Sequence, residues 1–305
     1  MKKQKILITG SSGMLGRALC DVLSRSYQVF GIDLENRNKL KNFLVCDITK
    51  FEQVKKAILV VLPNIIIHTA AYTDVDGCEV DKKKSEVVNK QGAINVAKIC
   101  QDINATLFFI STDYIFNGKK KSSYRENDAP SPLNIYGRAK FEAEEFIRHN
   151  LSEYFIVRTS WLYGAKGKNF VDTIRATAQS NSPLKVIDDQ TGSPTYVVDL
   201  SEAIKNLMDK INDCPKKYSG IYHITNSGKC SWYQFAKKIT KINKLNAKII
   251  PMKSSQLTRP AKRPKNSLLS NVKFNRLIHK PMRSWRKALG EYLKHSKQKN
   301  NFGIT

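Results

Sequence analysis

The sequence predicts an α/β fold, a doubly wound parallel Rossmann-type sheet. A smaller, mixed α/β substrate lobe is expected to be formed mainly by the C-terminal half. Three observations lead there. Short apolar runs alternate with helical patterns as far as Arg158, the rhythm of a parallel sheet covered by helices. The segment Gly10-Ser11-Ser12-Gly13-Met14-Leu15-Gly16 follows the first run at once and opens a helix, the context a dinucleotide fingerprint needs. Gly10, Asp33, Ala70, Thr112 and Thr159 all fall at the carboxyl ends of predicted strands, where such sheets bind ligands.

In order, Lys5–Thr9 is an apolar, β-branched run and reads as a buried strand. In the turn after it, Gly10 allows the tight bend, Gly13 lets backbone approach a pyrophosphate, and Gly16 lets helix pack on strand. Ser12, Met14 and Leu15 complete the loop and first helical turn, whose N–H groups suit phosphate. The second strand, from Gln28, ends in Asp33, placed to bind adenosine ribose hydroxyls; Arg37, four residues on, suits a 2′-phosphate instead. The choice between NAD and NADP stays open. Phe43–Cys46 is a third strand with Asp47 and Ile48 at its end, near a bound adenine. Phe51–Leu62 is a helix, and Asn64–His68 a fourth strand followed by Thr69-Ala70-Ala71-Tyr72, small residues that permit close approach. One long helix is expected from Glu79 to Asp102. Thr106–Ile110 is the fifth strand, leading to Ser111-Thr112-Asp113-Tyr114.

Beyond a turn-rich loop, a helix starts near Tyr136 and runs to about His149. Tyr136 and Lys140 stand four apart, so on a helix they share one face. A phenol titrates near ~10, and a neighbouring cation favours its ionised form. The pair is therefore a way to build a general acid/base. Tyr154–Arg158 is strand six. After it the alternation fades: helices are expected at Phe170–Ala178, Val198–Met208 and Ser231–Ile242, and strands at Leu184–Ile187 and Gly220–Ile224. This places a dinucleotide-binding domain over 1–160, rejoined by about 184–212. The substrate lobe then takes 161–183 and 213–295, and a basic, flexible tail 296–305.

The 305 residues carry a net charge of +26. Lysine clusters lack interleaved aromatics, so no specific nucleic-acid partner is expected; a positive field does attract anionic small substrates. No apolar run approaches the ~20 residues that span a bilayer. The six cysteines suit neither a zinc site nor a disulfide framework. A cytoplasmic protein with free thiols and no membrane partner is the expectation.

Several segments carry a family resemblance. They are Thr9–Gly16, His68–Asp76, Ser111–Phe116, Tyr136–Lys140, Arg158–Gly164, Asp189–Thr195 and Arg259–Pro264. The chain resembles the extended short-chain dehydrogenases/reductases, and within them the dTDP-4-dehydrorhamnose reductase family. That resemblance implies hydride transfer from NADPH or NADH to C4 of a nucleotide-linked 4-keto-6-deoxy sugar. It casts Tyr136 as proton donor, Lys140 as its pKa-lowering partner and holder of the nicotinamide ribose, and Thr112 as hydrogen-bond partner of the carbonyl oxygen. It sets Asp113, Tyr114 and Trp161 against the sugar. Members can carry a glutamate-lined magnesium site between subunits; no such cluster is identifiable here, so no metal ligand is assigned, and magnesium and a homodimer stay open. Arg259 and Arg263, each followed by proline, are read as a guanidinium clamp for the substrate diphosphate. Two alternatives stand beside this reading: a reductase of another keto-sugar nucleotide, and a non-catalytic regulatory subunit of the same fold. A 4,6-dehydratase would carry glutamate where Tyr114 stands.

Overall fold

The computed structural model describes residues 3–179, 183–212 and 214–301. β1 (Lys5–Thr9) passes through the glycine turn into α1 (Met14–Leu23), followed by β2 (Gln28–Asp33) and β3 (Phe43–Val45). α2 (Phe51–Val61) returns the chain to β4 (Ile65–His68). α3 (Val75–Val80), α4 (Lys82–Ser85), a π-helical stretch over Glu86–Gln91 and α5 (Gly92–Asp102) precede β5 (Thr106–Thr112). α6 (Ile135–Asn150) leads to β6 (Tyr154–Thr159). Then come β7 (Leu162–Tyr163), α7 (Phe170–Thr177), β8 (Leu184–Ile187), β9 (Thr191–Gly192), β10 (Thr195–Tyr196) and α8 (Val197–Ile211). The chain finishes with α9 (Pro215–Tyr218), β11 (Gly220–His223), β12 (Cys230–Ser231), α10 (Trp232–Asn243), β13 (Ile249–Met252), α11 (Val272–Ile278) and α12 (Trp285–Asn301).

Seven parallel strands form the main sheet in the order β3-β2-β1-β4-β5-β6-β11. Strand order reverses between β1 and β4, which opens a crevice beyond their carboxyl ends. Both faces are buried because successive side chains point to opposite sides. Ile6, Ile8, Phe108 and Val157 pack in one layer with Leu19 of α1 and Leu200 of α8. Leu7, Leu107, Phe109 and Ile156 pack in the other with Val54 of α2, Val96 of α5 and Ile147 of α6. Two glycines fix the first turn. Gly10 has φ +65°, and a Cβ there would meet Ala70 backbone at 2.7 Å. A Cβ on Gly16 would sit 2.1 Å from the Gly10 carbonyl oxygen.

Several elements differ from the sequence expectation. The single helix expected over Glu79–Asp102 is broken. Asp81 accepts from the Lys84 N–H and caps a new start, and the π stretch follows. The extra residue in that turn points Asn89 inward, where its side chain exchanges two hydrogen bonds with the Tyr72 backbone. The segment 184–187 does not rejoin the main sheet; β8 pairs with β13. It is α8, packed on α1, that returns to the main layer, and β11, from the stretch expected in the substrate lobe, that adds the seventh strand beside β6. Past 296, where a loose tail was expected, α12 continues to Asn301; residues 302–305 lie outside the described residues.

α6 is fixed to the sheet by a buried ion pair. Arg158 of β6 donates from Nη2 to Glu144 Oε2 at 2.6 Å and from Nε to both carboxylate oxygens, and Ser111 of β5 donates its hydroxyl to the same carboxylate. Their side chains are 1% and 0% exposed. Removing one partner of such a pair leaves an uncompensated buried charge. Glu144→Gln is therefore expected to lower unfolding stability in urea by ~3–5 kcal/mol. Glu145→Gln, which breaks the half-exposed Glu145–Arg148 pair, should cost under ~1 kcal/mol. Equal losses in the two variants would show that burial does not govern the pair.

Candidate active site

The carboxyl ends of the central strands, the start of α1 and the loop after β6 enclose a cleft of about 780 Å³. Gly10, Ser12, Gly13, Met14, Leu15 and Gly16 line one end of it. Gly13 caps α1 without a side-chain hydrogen bond, and no carboxylate sits in the first turn. The first N–H groups of α1 are thus left for a ligand, and the helix dipole favours an anion there. Asp33 is held in place by the Ser12 and Leu34 N–H groups at 2.9 and 2.8 Å. Arg37 lines the same end, paired at 2.8 Å with Glu35. Asp47, braced by both polar groups of Thr49, and Ile48, Ala70 and Ala71 also line the cleft. Tyr72 is not among the lining residues: its backbone is engaged by Asn89, and the Lys84 ammonium sits 4.5 Å over its ring. These donors and small residues fit a dinucleotide.

The other end is lined by Thr112, Asp113, Tyr114, Tyr136, Lys140 and Trp161. Thr112 ends β5, and its hydroxyl accepts from the Tyr114 N–H at 3.1 Å and donates to Asp113 at 3.2 Å. Asn134 caps α6 by accepting from the Gly137 N–H at 2.8 Å, which sets Tyr136 in the first turn. Tyr114 and Tyr136 meet edge to face at 6.3 Å. Lys140 is buried, its ammonium 4.0 Å over the Phe109 ring.

Burial dominates the electrostatics, against the expectation that a lysine cation would bring the phenol down. The Tyr136 phenol is pushed up, first by desolvation and then by the charge of Asp113; the Thr112 side chain pulls the other way. Desolvation also brings Lys140 down to about 7, so its cation is itself weakened, although Glu144 supports it. His68, which shares a 2.9 Å hydrogen bond with Thr9, is lowered to about 3 by burial and then by Lys140, and is neutral. Asp113 is raised to about 7 by burial, with one carboxylate oxygen unpartnered.

Trp161 has a left-handed backbone, φ +49°, a strained choice for an aromatic residue. Its indole stacks on Trp232 with centroids 3.5 Å apart and planes 7° apart, and Gly192 packs so close that a Cβ would meet the ring at 2.5 Å. Sequence reasoning missed Trp232, which read only as the first residue of the helix capped by Ser231. It also missed Lys168, another lining residue, whose loop carries no motif. Arg259 and Arg263 do not line the cleft. Arg259 is exposed, and Arg263 is bound bidentately to Asp76 at 2.9 and 2.8 Å.

Residues 4–298 match the RmlD substrate binding domain family. The chain belongs to that family. Among its relatives is the spore coat polysaccharide biosynthesis protein SpsK of Bacillus subtilis, 38% identical over 95% of this chain and 96% of its own length. The dTDP-4-dehydrorhamnose reductase of Aggregatibacter actinomycetemcomitans is 34% identical over 93% of this chain and 97% of its own. A crystal structure of the Bacillus anthracis dTDP-4-dehydrorhamnose reductase, in complex with NADP, superposes with a TM-score of 0.88 at 38% identity, covering 97% of this chain and all of that one. Membership in the RmlD family agrees with the resemblance carried by the motifs. Among the described residues, no helix is long and apolar enough to cross a membrane, and no group of three or more His, Cys, Asp or Glu is arranged to hold a metal ion.

Two expectations follow from this geometry. Gly13 has φ −75°, and a Cβ there would touch only the Gly10 carbonyl oxygen, at 3.2 Å. A side chain at Gly13 presses on that one oxygen, which must give by a few tenths of an ångström, and it would stand where a ligand approaches α1. Gly13→Val should keep a near-normal melting temperature and weaken NADPH binding, read by calorimetry, at least ~10-fold. Unchanged affinity would sink the assignment of this turn.

The second concerns pH. Asp113 holds a proton in the folded chain between its ordinary 3.8 and about 7. That contribution is complete below about pH 4 and lost as pH rises through 7. Lys140 acts oppositely: lowered from 10.5 to about 7, it penalises the fold most below 7, and the penalty fades toward pH 10. Asp113→Asn should therefore raise the melting temperature by ~2–4 °C or more at pH 8, with little gain at pH 4. A gain independent of pH would mean that Asp113 does not titrate in this window.

Proposed function

We propose that the chain reduces the C4 keto group of dTDP-4-dehydro-L-rhamnose to give dTDP-L-rhamnose, with NADPH or NADH. The observation that carries this is one cleft holding both the glycine turn at α1 and the trio Thr112, Tyr136 and Lys140. Support comes from named relatives: reductases of this substrate match nearly the whole chain, and one was solved with NADP.

The bound dinucleotide supplies hydride chemistry. The side chains supply orientation, a proton and charge stabilisation. Thr112, fixed at the end of β5, has one hydroxyl proton, which it gives to Asp113 and turns to the carbonyl oxygen when the substrate binds. As C4 accepts hydride, Tyr136 gives its proton to that oxygen, and O–H forms as the phenol O–H breaks. The raised phenol pKa keeps that proton in place until charge develops on the oxygen. Anionic phosphates in the cleft favour the charged form of Lys140, which then stabilises the phenolate left behind. Asp113, Tyr114 and the Trp161 indole face the sugar; Arg259 is the remaining candidate for its diphosphate. Residues that hold the dinucleotide are assigned to the main sheet, and those that hold the sugar to the end of β5 and to the lobe after β6. We place the reaction in the cytoplasm, in the synthesis of cell-surface polysaccharide precursors. Tyr114 stands where a dehydratase needs a carboxylate, which favours reduction over elimination.

The test is a panel of keto-sugar nucleotides with NADPH and with NADH, followed by loss of nicotinamide absorbance. Tyr136→Phe is expected to bind NADPH normally and to lose ~10²-fold or more in kcat. Near-normal turnover in that variant would refute the proton-donor role, and no oxidation on any member of the panel would refute the reductase reading itself.

A further inference from the structure

We infer that Arg263 and Asp76 form a latch that positions the proton-donor end of α6, an inference that rests on the reductase reading given above. The segment 259–264 lies outside any regular element and carries prolines at 260 and 264 that fix its backbone. It is tied at three points. Arg263 reaches Asp76 of α3 with both terminal nitrogens, Nη1 to Oδ1 at 2.9 Å and Nη2 to Oδ2 at 2.8 Å. The Ala261 N–H donates to the same carboxylate at 3.1 Å, and its carbonyl accepts from Arg263 Nη1 at 3.0 Å. The Lys262 carbonyl accepts from Asn134 Nδ2 at 2.8 Å. Asn134 is the cap of α6, and its other side-chain atom holds the Gly137 N–H.

The ring closes through α3. Glu79, one helical turn from Asp76, accepts from the Ile135 N–H at 2.8 Å. α3, the 259–264 segment and the first turn of α6 thus hold one another in a loop of hydrogen bonds, charge-assisted at Asp76 and Glu79 and neutral between Asn134 and Lys262, and Tyr136 sits inside that turn. Gly137 is pressed against the carbonyl of Tyr114, where a Cβ would come within 2.2 Å. Burial, and then the charge of Asp113, push the Tyr114 phenol up, and the nearby Arg263 guanidinium opposes that rise. Asp76 is held below its ordinary range chiefly by Arg263, so the pair is charged at neutral pH. A guanidinium engaged by a carboxylate in this fork geometry is not available to clamp a diphosphate. Its chemistry acts on where Tyr136 stands, through α6. Arg263 and Asp76 are positioning residues.

A diphosphate contact and a latch separate in kinetics. For Arg263→Ala and Asp76→Ala, the latch predicts kcat lower by ~10-fold or more, with substrate KM within ~2-fold and NADPH affinity unchanged. The double variant should be no worse than either single, because both remove one interaction. Arg263→Lys keeps the charge and loses the fork, so it should fall between wild type and Arg263→Ala; it also serves if the alanine variant does not fold. Added guanidinium ion should restore part of kcat in Arg263→Ala and none in Asp76→Ala. A rise in substrate KM with kcat retained would overturn the latch in favour of a diphosphate contact, and unchanged kinetics would overturn it outright. Hydrogen exchange at the Gly137 and Arg138 amides reads the same latch without turnover. Faster exchange in either variant supports it and unchanged exchange overturns it, even where wild-type protein oxidises NADPH on no keto-sugar nucleotide and the reductase reading has failed.

Discussion

The placement of the catalytic helix depends on the buried pair between Glu144 and Arg158. Tyr136, Lys140 and Glu144 stand at four-residue steps along one face of α6. Glu144, farthest from the cleft, is gripped by Arg158 and Ser111, so both the rotation and the axial position of α6 are set against β5 and β6. Two charges out of water are tolerable only when their remaining groups are satisfied. Arg158 meets that condition: it also donates to the Glu126 carbonyl at 3.3 Å and lies over the Phe116 ring. With this anchor at one end and the Asn134 cap at the other, the first turn of α6 has little freedom, and Tyr136 inherits that rigidity.

The same low polarity that makes the anchor stiff sets the charge state of the cleft. Burial works against every isolated charge, and it works on His68, Asp113, Tyr136 and Lys140 together. A neutral His68 hydrogen-bonded to Thr9 adds no competing cation beside Lys140. Asp113 and Lys140 both titrate near neutrality, so an entering anion or a developing alkoxide shifts protons within the site at small energetic expense. Asp113, Tyr136 and Lys140 all line one cleft and are all shifted by burial, and such clusters are where proton transfer is found.

Local signals made part of this legible in the sequence. Gly10, Gly13 and Gly16 carry their meaning in their own spacing, and Tyr136 and Lys140 in theirs. The strands of the main sheet could be read as far as β6 because each is an apolar run bounded by turn formers. What escaped depends on distant partners. Whether residues 184–187 or 220–223 add the edge strand is decided by what lies beside them, not by their composition. The break at Asp81 required knowing that its exposed side chain would accept from the Lys84 N–H and start a new helix there. Arg263 read as a free phosphate ligand because its partner, Asp76, stands 187 positions away.

The two walls of the cleft are built by opposite means. On the α6 side, position is fixed by directional polar contacts that tolerate little displacement. In the loop after β6, Trp161 keeps a left-handed backbone that costs of the order of ~1–3 kcal/mol, and it persists only because its surroundings leave it no alternative. The Trp232 face, itself packed on Phe170 at 4.5 Å, and the missing side chain at Gly192 together define one slot for the indole. A relaxed backbone at residue 161 would swing the ring out of that slot and lose the stack, and an aromatic contact of this size contributes ~0.5–1.5 kcal/mol beyond the area it buries. Strain and stacking are thus of comparable size, and burial of the indole tips the balance. The α6 part of the cleft lining is therefore held by polar contacts and the Trp161 part by shape.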